Sequence, residues 1–178
     1  MKEKLQKFLN GAPASQNVLV AYENLVFAIE ALDLCDRLSR SLAPKCKLQL
    51  TFWSLSALQL PLLSHLAEHE ANETDLVIMA VNGNQALPPR VLQWVRRWAR
   101  RRHSHRGALA AQIHGILKMD QLLSPTYGRL KQIANDSSVE FFSQVLELAT
   151  ANLDESIESI HERAHMNSPV LEAILQLP

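Results

Sequence analysis

Glycine and cysteine are scarce in this chain, and each scarcity excludes something. Five glycines in 178 residues leave no G-x-G-x-x-G turn and no P-loop, so the common phosphate-cradling fingerprints are absent. Two cysteines, Cys35 and Cys46, are too few for a disulfide framework and read as reduced, structural thiols in a cytoplasm. No apolar run approaches the roughly 18 residues that span a bilayer. The charged start MKEKLQKFLNGAPASQ lacks the apolar core of a secretory signal. Charge of one sign is also missing, because Lys plus Arg and Asp plus Glu both number 18. No global field therefore draws the chain to nucleic acid or to a membrane. What remains is ordinary globular composition, 47% hydrophobic and 20% charged, in a length that suits one domain.

Short apolar runs alternate with segments of helical period. NVLVAY (17–22) predicts a buried strand. Asn24 then caps a helix through Ala43, with Leu25, Ala28, Ile29, Leu32, Cys35, Leu38 and Leu42 as its apolar face. KLQLTFW (47–53) alternates more clearly, as at a sheet edge, and a helix from Pro61 to Asn72 follows. DLVIMAV (75–81) is apolar on both faces, so it predicts a central strand. A helix ending near Arg102, a strand GALAAQIH (107–114), a short helix ending near Asn135 and a strand VEFFS (139–143) complete the alternation.

Five strands alternating with helices predict right-handed βαβ units around a parallel sheet. The expected class is α/β. The pattern resembles a flavodoxin-like three-layer sandwich with strand order 2-1-3-4-5. Residues 1–16 read as an N-terminal extension, 17–144 as the α/β domain, and 145–178 as a helical C-terminal extension of the same domain. Ligands of such sheets sit at the carboxyl ends of the strands. That edge would carry Tyr22, Glu23 and Asn24 after the first strand and Ser54 after the second. Asn82 and Gly83 would follow the third, His114 the fourth and Ser143 the fifth.

DLVIMA (75–80) and the strand sequence over residues 17–144 resemble response-regulator receiver domains. The resemblance implies a phosphoacceptor aspartate ending the third strand, an acidic pair after the first and a lysine after the fifth. This chain has Ala80, Val81 or Asn82 at the first place, a lone Glu23 at the second, and Ser143 and Gln144 at the third. Phosphoryl transfer needs metal and nucleophile together, so the resemblance is to a degenerate receiver of an uncharacterised bacterial family. Flavodoxins hold the FMN phosphate in a Ser/Thr/Gly-rich loop after strand one. Here that loop is ENLVFA (23–28), so no cofactor is implied.

Two stretches have the spacing of zinc-protease helices. HERAH (161–165) sets two histidines around a glutamate. Counting about 100° per residue, Leu153, Ile157, Ile160 and Ala164 form its buried stripe, and the histidines fall on the flank. Arg163 stands where an apolar residue is preferred, and Ser168 and Leu171 replace the continuation of the motif. HLAEH (65–69) matches the inverted form, but its core side is Leu63, Leu66, Ala67 and Ala71, which puts both histidines on the wet face. Neither stretch is assigned a metal, and no catalytic residue is assigned.

PRVLQWVRRWARRRHSHR (89–106) carries seven arginines and no acid. Val91, Trp94, Val95 and Trp98 make its apolar face. Arg96, Arg97, Arg100, Arg101 and Arg102 make a basic patch near the helix C-terminus, where positive charge complements the dipole. From Val145 to Pro178 there are six acids and one base, an amphipathic segment complementary in sign. The expectation is a non-catalytic, cytoplasmic, receiver-like regulatory domain that contacts a protein partner or a second copy of itself as a homodimer. The alternatives are a small-molecule site or enzyme at the strand ends, and nucleic-acid binding through the arginine patch.

Overall fold

A computed structural model of the protein describes residues 1–9, 15–42, 46–102 and 107–146. Among the described residues the five strands are β1 (Ser15–Tyr22), β2 (Lys47–Ser54), β3 (Leu76–Asn82), β4 (Ala108–His114) and β5 (Glu140–Leu146). All neighbours are parallel, in the order β2-β1-β3-β4-β5. The class and strand order are those expected, and the order is that of the flavodoxin-like fold. The helices are α1 (Lys2–Leu9), α2 (Leu25–Leu42), α3 (Leu55–Leu58), α4 (Pro61–Ala71), α5 (Pro89–Arg101) and α6 (Pro125–Asp136), with a 3-10 stretch over Lys118–Leu123. No helix among the described residues is long and apolar enough to cross a membrane.

Successive strand residues point to opposite faces, so the sheet separates two cores. Leu19, Ala21, Val77, Met79, Val81, Leu109, Ala111 and Ile113 face one layer, where α3, α4, α5 and α6 bury Leu58, Ala67, Trp94, Trp98 and Ile133. Val18, Val20, Leu76, Ile78, Ala80, Ala108, Ala110 and Phe142 face the other, where α1 and α2 bury Leu5, Phe8, Leu9, Phe27, Leu34 and Leu38. β3 and β4 are buried along almost their whole length, as central parallel strands must be when helices cover both faces.

Three local expectations are corrected. The inward face of α2 is Phe27, Ala28, Ala31, Leu34, Cys35, Leu38 and Leu42. Leu25, Ile29 and Leu32, expected on it, are exposed. The helix carries two apolar stripes, and the one holding Phe27 packs on the sheet. On α4, Ala67 and Ala71 are buried, but Leu66 is exposed. β5 runs past Ser143 to Leu146, because Val145 and Leu146 continue the ladder opposite Ile113 and His114. Residues 2–9 form α1, which packs on α2 and reaches β5 through an edge-on Phe8–Phe142 contact at 6.1 Å. HERAH, His103, His105 and residues 147–178 of the acidic segment lie outside the described residues.

Candidate functional site

In this topology the strand order reverses between β1 and β3, and a crevice opens where their carboxyl ends diverge. A cleft of about 240 Å³ lies there, lined by Glu23, Leu55, Ser56, Gln59, Asn82, Gln85, Ala86, Leu87 and Pro88. Glu23 and Asn82 are thus brought together from the expected set.

Each already holds one side-chain oxygen in a hydrogen bond. The Glu23 carboxylate accepts from the Asn82 backbone N–H at 2.7 Å, and the Glu23 N–H donates to the Ala80 carbonyl at 3.0 Å. Asn82 Oδ1 accepts from the Asn84 N–H at 2.9 Å, closing a local side-chain turn. Asn84 Nδ2 donates to the Gly115 carbonyl. Gly83 donates its N–H to the His114 carbonyl at 2.8 Å. A Cβ there would stand 2.5 Å from Ile113 Cγ2, so close packing against β4 requires glycine. Asn24 Oδ1 accepts from the Phe27 N–H at 3.1 Å and caps α2. Ser54 Oγ accepts from the Ala57 N–H at 3.1 Å and caps α3. The half-buried Tyr22 has its ring 6.5 Å from that of Phe52.

His114 and Ser143 stand apart from this cleft. His114 is 1% exposed and stacks on Phe27 with ring centres 3.8 Å apart. Its Nδ1 lies 3.3 Å from Glu30 Oε2, and its buried Nε2 has no partner among the described residues. Burial lowers its pKa to about 4, so at neutral pH the imidazole is uncharged and the contact is no ion pair. Burial, and then the nearby Asp33, raise the pKa of Glu30. Expected after the fifth strand, Ser143 instead sits mid-strand opposite Ala111, and its Oγ accepts from Gln121 Nε2 at 2.8 Å. Glu30 was not legible as a site residue, since only the packing of α2 over β4 brings it to His114.

The arginine patch is largely tied to its own fold. Arg97 donates to Glu68 at 2.6 Å, and Arg101 to Asn72 Oδ1 at 2.6 Å. Arg102 is buried and reaches Asp75 at 3.1 Å and the Asn72 carbonyl at 2.6 Å. Arg96 and Arg100 remain exposed, without an ion pair among the described residues. No group of three His, Cys, Asp or Glu side chains among the described residues is placed to hold a metal ion. Cys35 and Cys46 are buried free thiols, and burial, with Asp36 nearby, pushes Cys35 up to about 12. It is a poor nucleophile at neutral pH.

The carboxyl edge also exposes large apolar groups. Leu25 and Val26 open α2, Leu117 precedes the 3-10 stretch after β4, and Met119, Leu122 and Leu123 lie within it. Met119 is 82% exposed and Leu123 80%. A scan against protein-family models finds no match, and a search of curated proteins finds none either.

Proposed function

We propose that this chain is a non-catalytic, receiver-like regulatory domain of a bacterial cytoplasm that works by binding a protein surface, that of a partner or of a second copy. One contrast carries the reading. The polar groups at the carboxyl edge are hydrogen-bonded into caps and turns, while Leu25, Val26, Leu117, Met119, Leu122 and Leu123 at the same edge are exposed. Exposed apolar clusters of this kind mark interaction surfaces. The positions that resemble the receiver's acid cluster supply one carboxylate, Glu23, and it is held by the Asn82 amide.

A small-molecule site is the second reading, supported by the cleft at the strand reversal. Its volume of about 240 Å³ is below the usual 300–1,000 Å³ of drug-sized sites. Nucleic-acid binding is less favoured, because Arg101 and Arg102 are committed to the loop after α4.

The test is a sedimentation-velocity series over concentration, with Leu122→Asp/Leu123→Asp as the comparison. Self-association lost in the double variant supports contact through this edge. A melting-temperature rise with FMN, a nucleotide, or acetyl phosphate with Mg²⁺ replaces this reading with the second, since ligand at about 100 times its Kd adds roughly 2.7 kcal/mol.

A further inference from the structure

α4 and α5 lie side by side and present matching rows across a shared groove. From α4 come Pro61, Ser64, His65 and Glu68, and from α5 come Arg90, Gln93, Trp94 and Arg97. Each row steps by three, four and seven residues, which is one helix face. The groove is half open, with a volume of about 370 Å³, within the range of small-molecule sites.

Its chemistry is that of an anion receptor. Arg90 spends one N–H on the Gln59 carbonyl at 3.0 Å, which anchors the guanidinium beside the groove and leaves its other donors. Among the described residues Glu68 is the groove's one acid, and its charge is already met twice, by Arg97 at 2.6 Å and by Arg101 at 3.9 Å. The surplus is therefore positive. Gln93 and His65 are exposed along the walls and Ser64 is half buried. Trp94, 1% exposed, forms part of the wall, and its buried indole N–H has no partner among the described residues. Buried indole N–H groups ordinarily find an acceptor; this one belongs to a residue of the groove wall and has none among the described residues, so its resonance is a probe of what binds there.

Arg90 and Arg97 are two helical turns apart, about 10 Å along the axis. Planar guanidinium forks match carboxylates edge to edge. We propose that the α4/α5 groove binds a small, extended dicarboxylate, with one carboxylate on Arg90 and the other on Arg97. The site is independent of the carboxyl-edge surface and stands or falls separately.

The experiment is a titration of the full chain with succinate, glutarate and adipate at fixed ionic strength, read by calorimetry and by the indole N–H resonance of Trp94. Trp94→Phe assigns that resonance. The expected result is saturable binding in roughly the millimolar range or tighter, with a shifted Trp94 signal. Arg90→Ala should weaken it about ten-fold or more. Gln93→Glu leaves the Arg97–Glu68 pair intact, places an acid in the groove, and should abolish binding with an unchanged melting temperature. Three outcomes overturn the proposal: no saturable response, an equal response to acetate or to inorganic phosphate, or binding that survives Gln93→Glu.

Discussion

α5 and α2 are both amphipathic helices on this sheet, and they differ in how their apolar residues are distributed. α5 has one apolar stripe. Val91, Trp94, Val95 and Trp98 are all buried, and the arginines outside that stripe face solvent or α4. α2 has two. Phe27, Ala31, Leu34 and Leu38 are buried, while Leu25, Ile29 and Leu32 are exposed on another side. Where apolar and polar residues separate cleanly, the sequence dictates which way the helix faces. Where two stripes compete, the sheet chooses. Here it took the stripe carrying Phe27, whose ring stacks on His114. The unused stripe is left as surface.

The sharpest break on the α5 side is Trp98→Ala. Trp98 is buried and donates its indole N–H to the Thr74 carbonyl at 3.1 Å. The loss should be about 3–5 kcal/mol in a denaturant titration, and a change under 1 kcal/mol would mean that α5 does not face the sheet this way. On α2, Leu34→Ala comes next, at about 2–5 kcal/mol, because Leu34 is 1% exposed.

The contact between α2 and β4 gives a pH signature. His114 has a folded pKa of about 4 against 6.5 for the free side chain. Above about pH 7 it is neutral in both states and contributes no slope. As pH falls from 6.5 toward 4 the unfolded chain takes the proton first, so stability is lost, by about 3 kcal/mol over that window. Glu30, whose folded pKa is raised, works in the opposite direction near its own pKa and offsets part of the loss at the acid end. Stability measured against pH should keep this slope in the wild type and lose it in His114→Leu. The smallest effect belongs to the unused stripe. Leu32→Ala should change stability by less than about 0.5 kcal/mol, since Leu32 is 39% exposed. A loss equal to that of Leu34→Ala would erase the distinction between the two stripes.

Much of the architecture was legible from residue pattern. The apolar runs of β3 and β4 predicted central strands, and the helix-period segments between strands required parallel crossovers; the 2-1-3-4-5 order, which the structure shows, was implied by the flavodoxin-like resemblance. Asn24 was legible as a helix cap because its side chain acts within its own turn. Ser143 was misplaced for an equally local reason. VEFFS is apolar and the following QVL looks no different from the start of a helix, so only pairing with β4 reveals that the strand continues.

The candidate sites were less legible, because their partners are distant along the chain. Glu23 was visible as an acid after a strand, but its capture by the Asn82 amide depends on β1 and β3 lying side by side. The arginines were visible as a patch, and it was the packing of α4 against α5 that tied Arg97 and Arg101 to Glu68 and Asn72. By itself the sequence determined the class and the facing of α5, since these follow from periodicity and chirality acting over short stretches, while the strand order came from the flavodoxin-like resemblance. Tertiary structure alone decided which stripe of α2 is buried, where β5 ends, and which charges are spent inside the fold. Each of these is a competition between surfaces that meet only when the layers close.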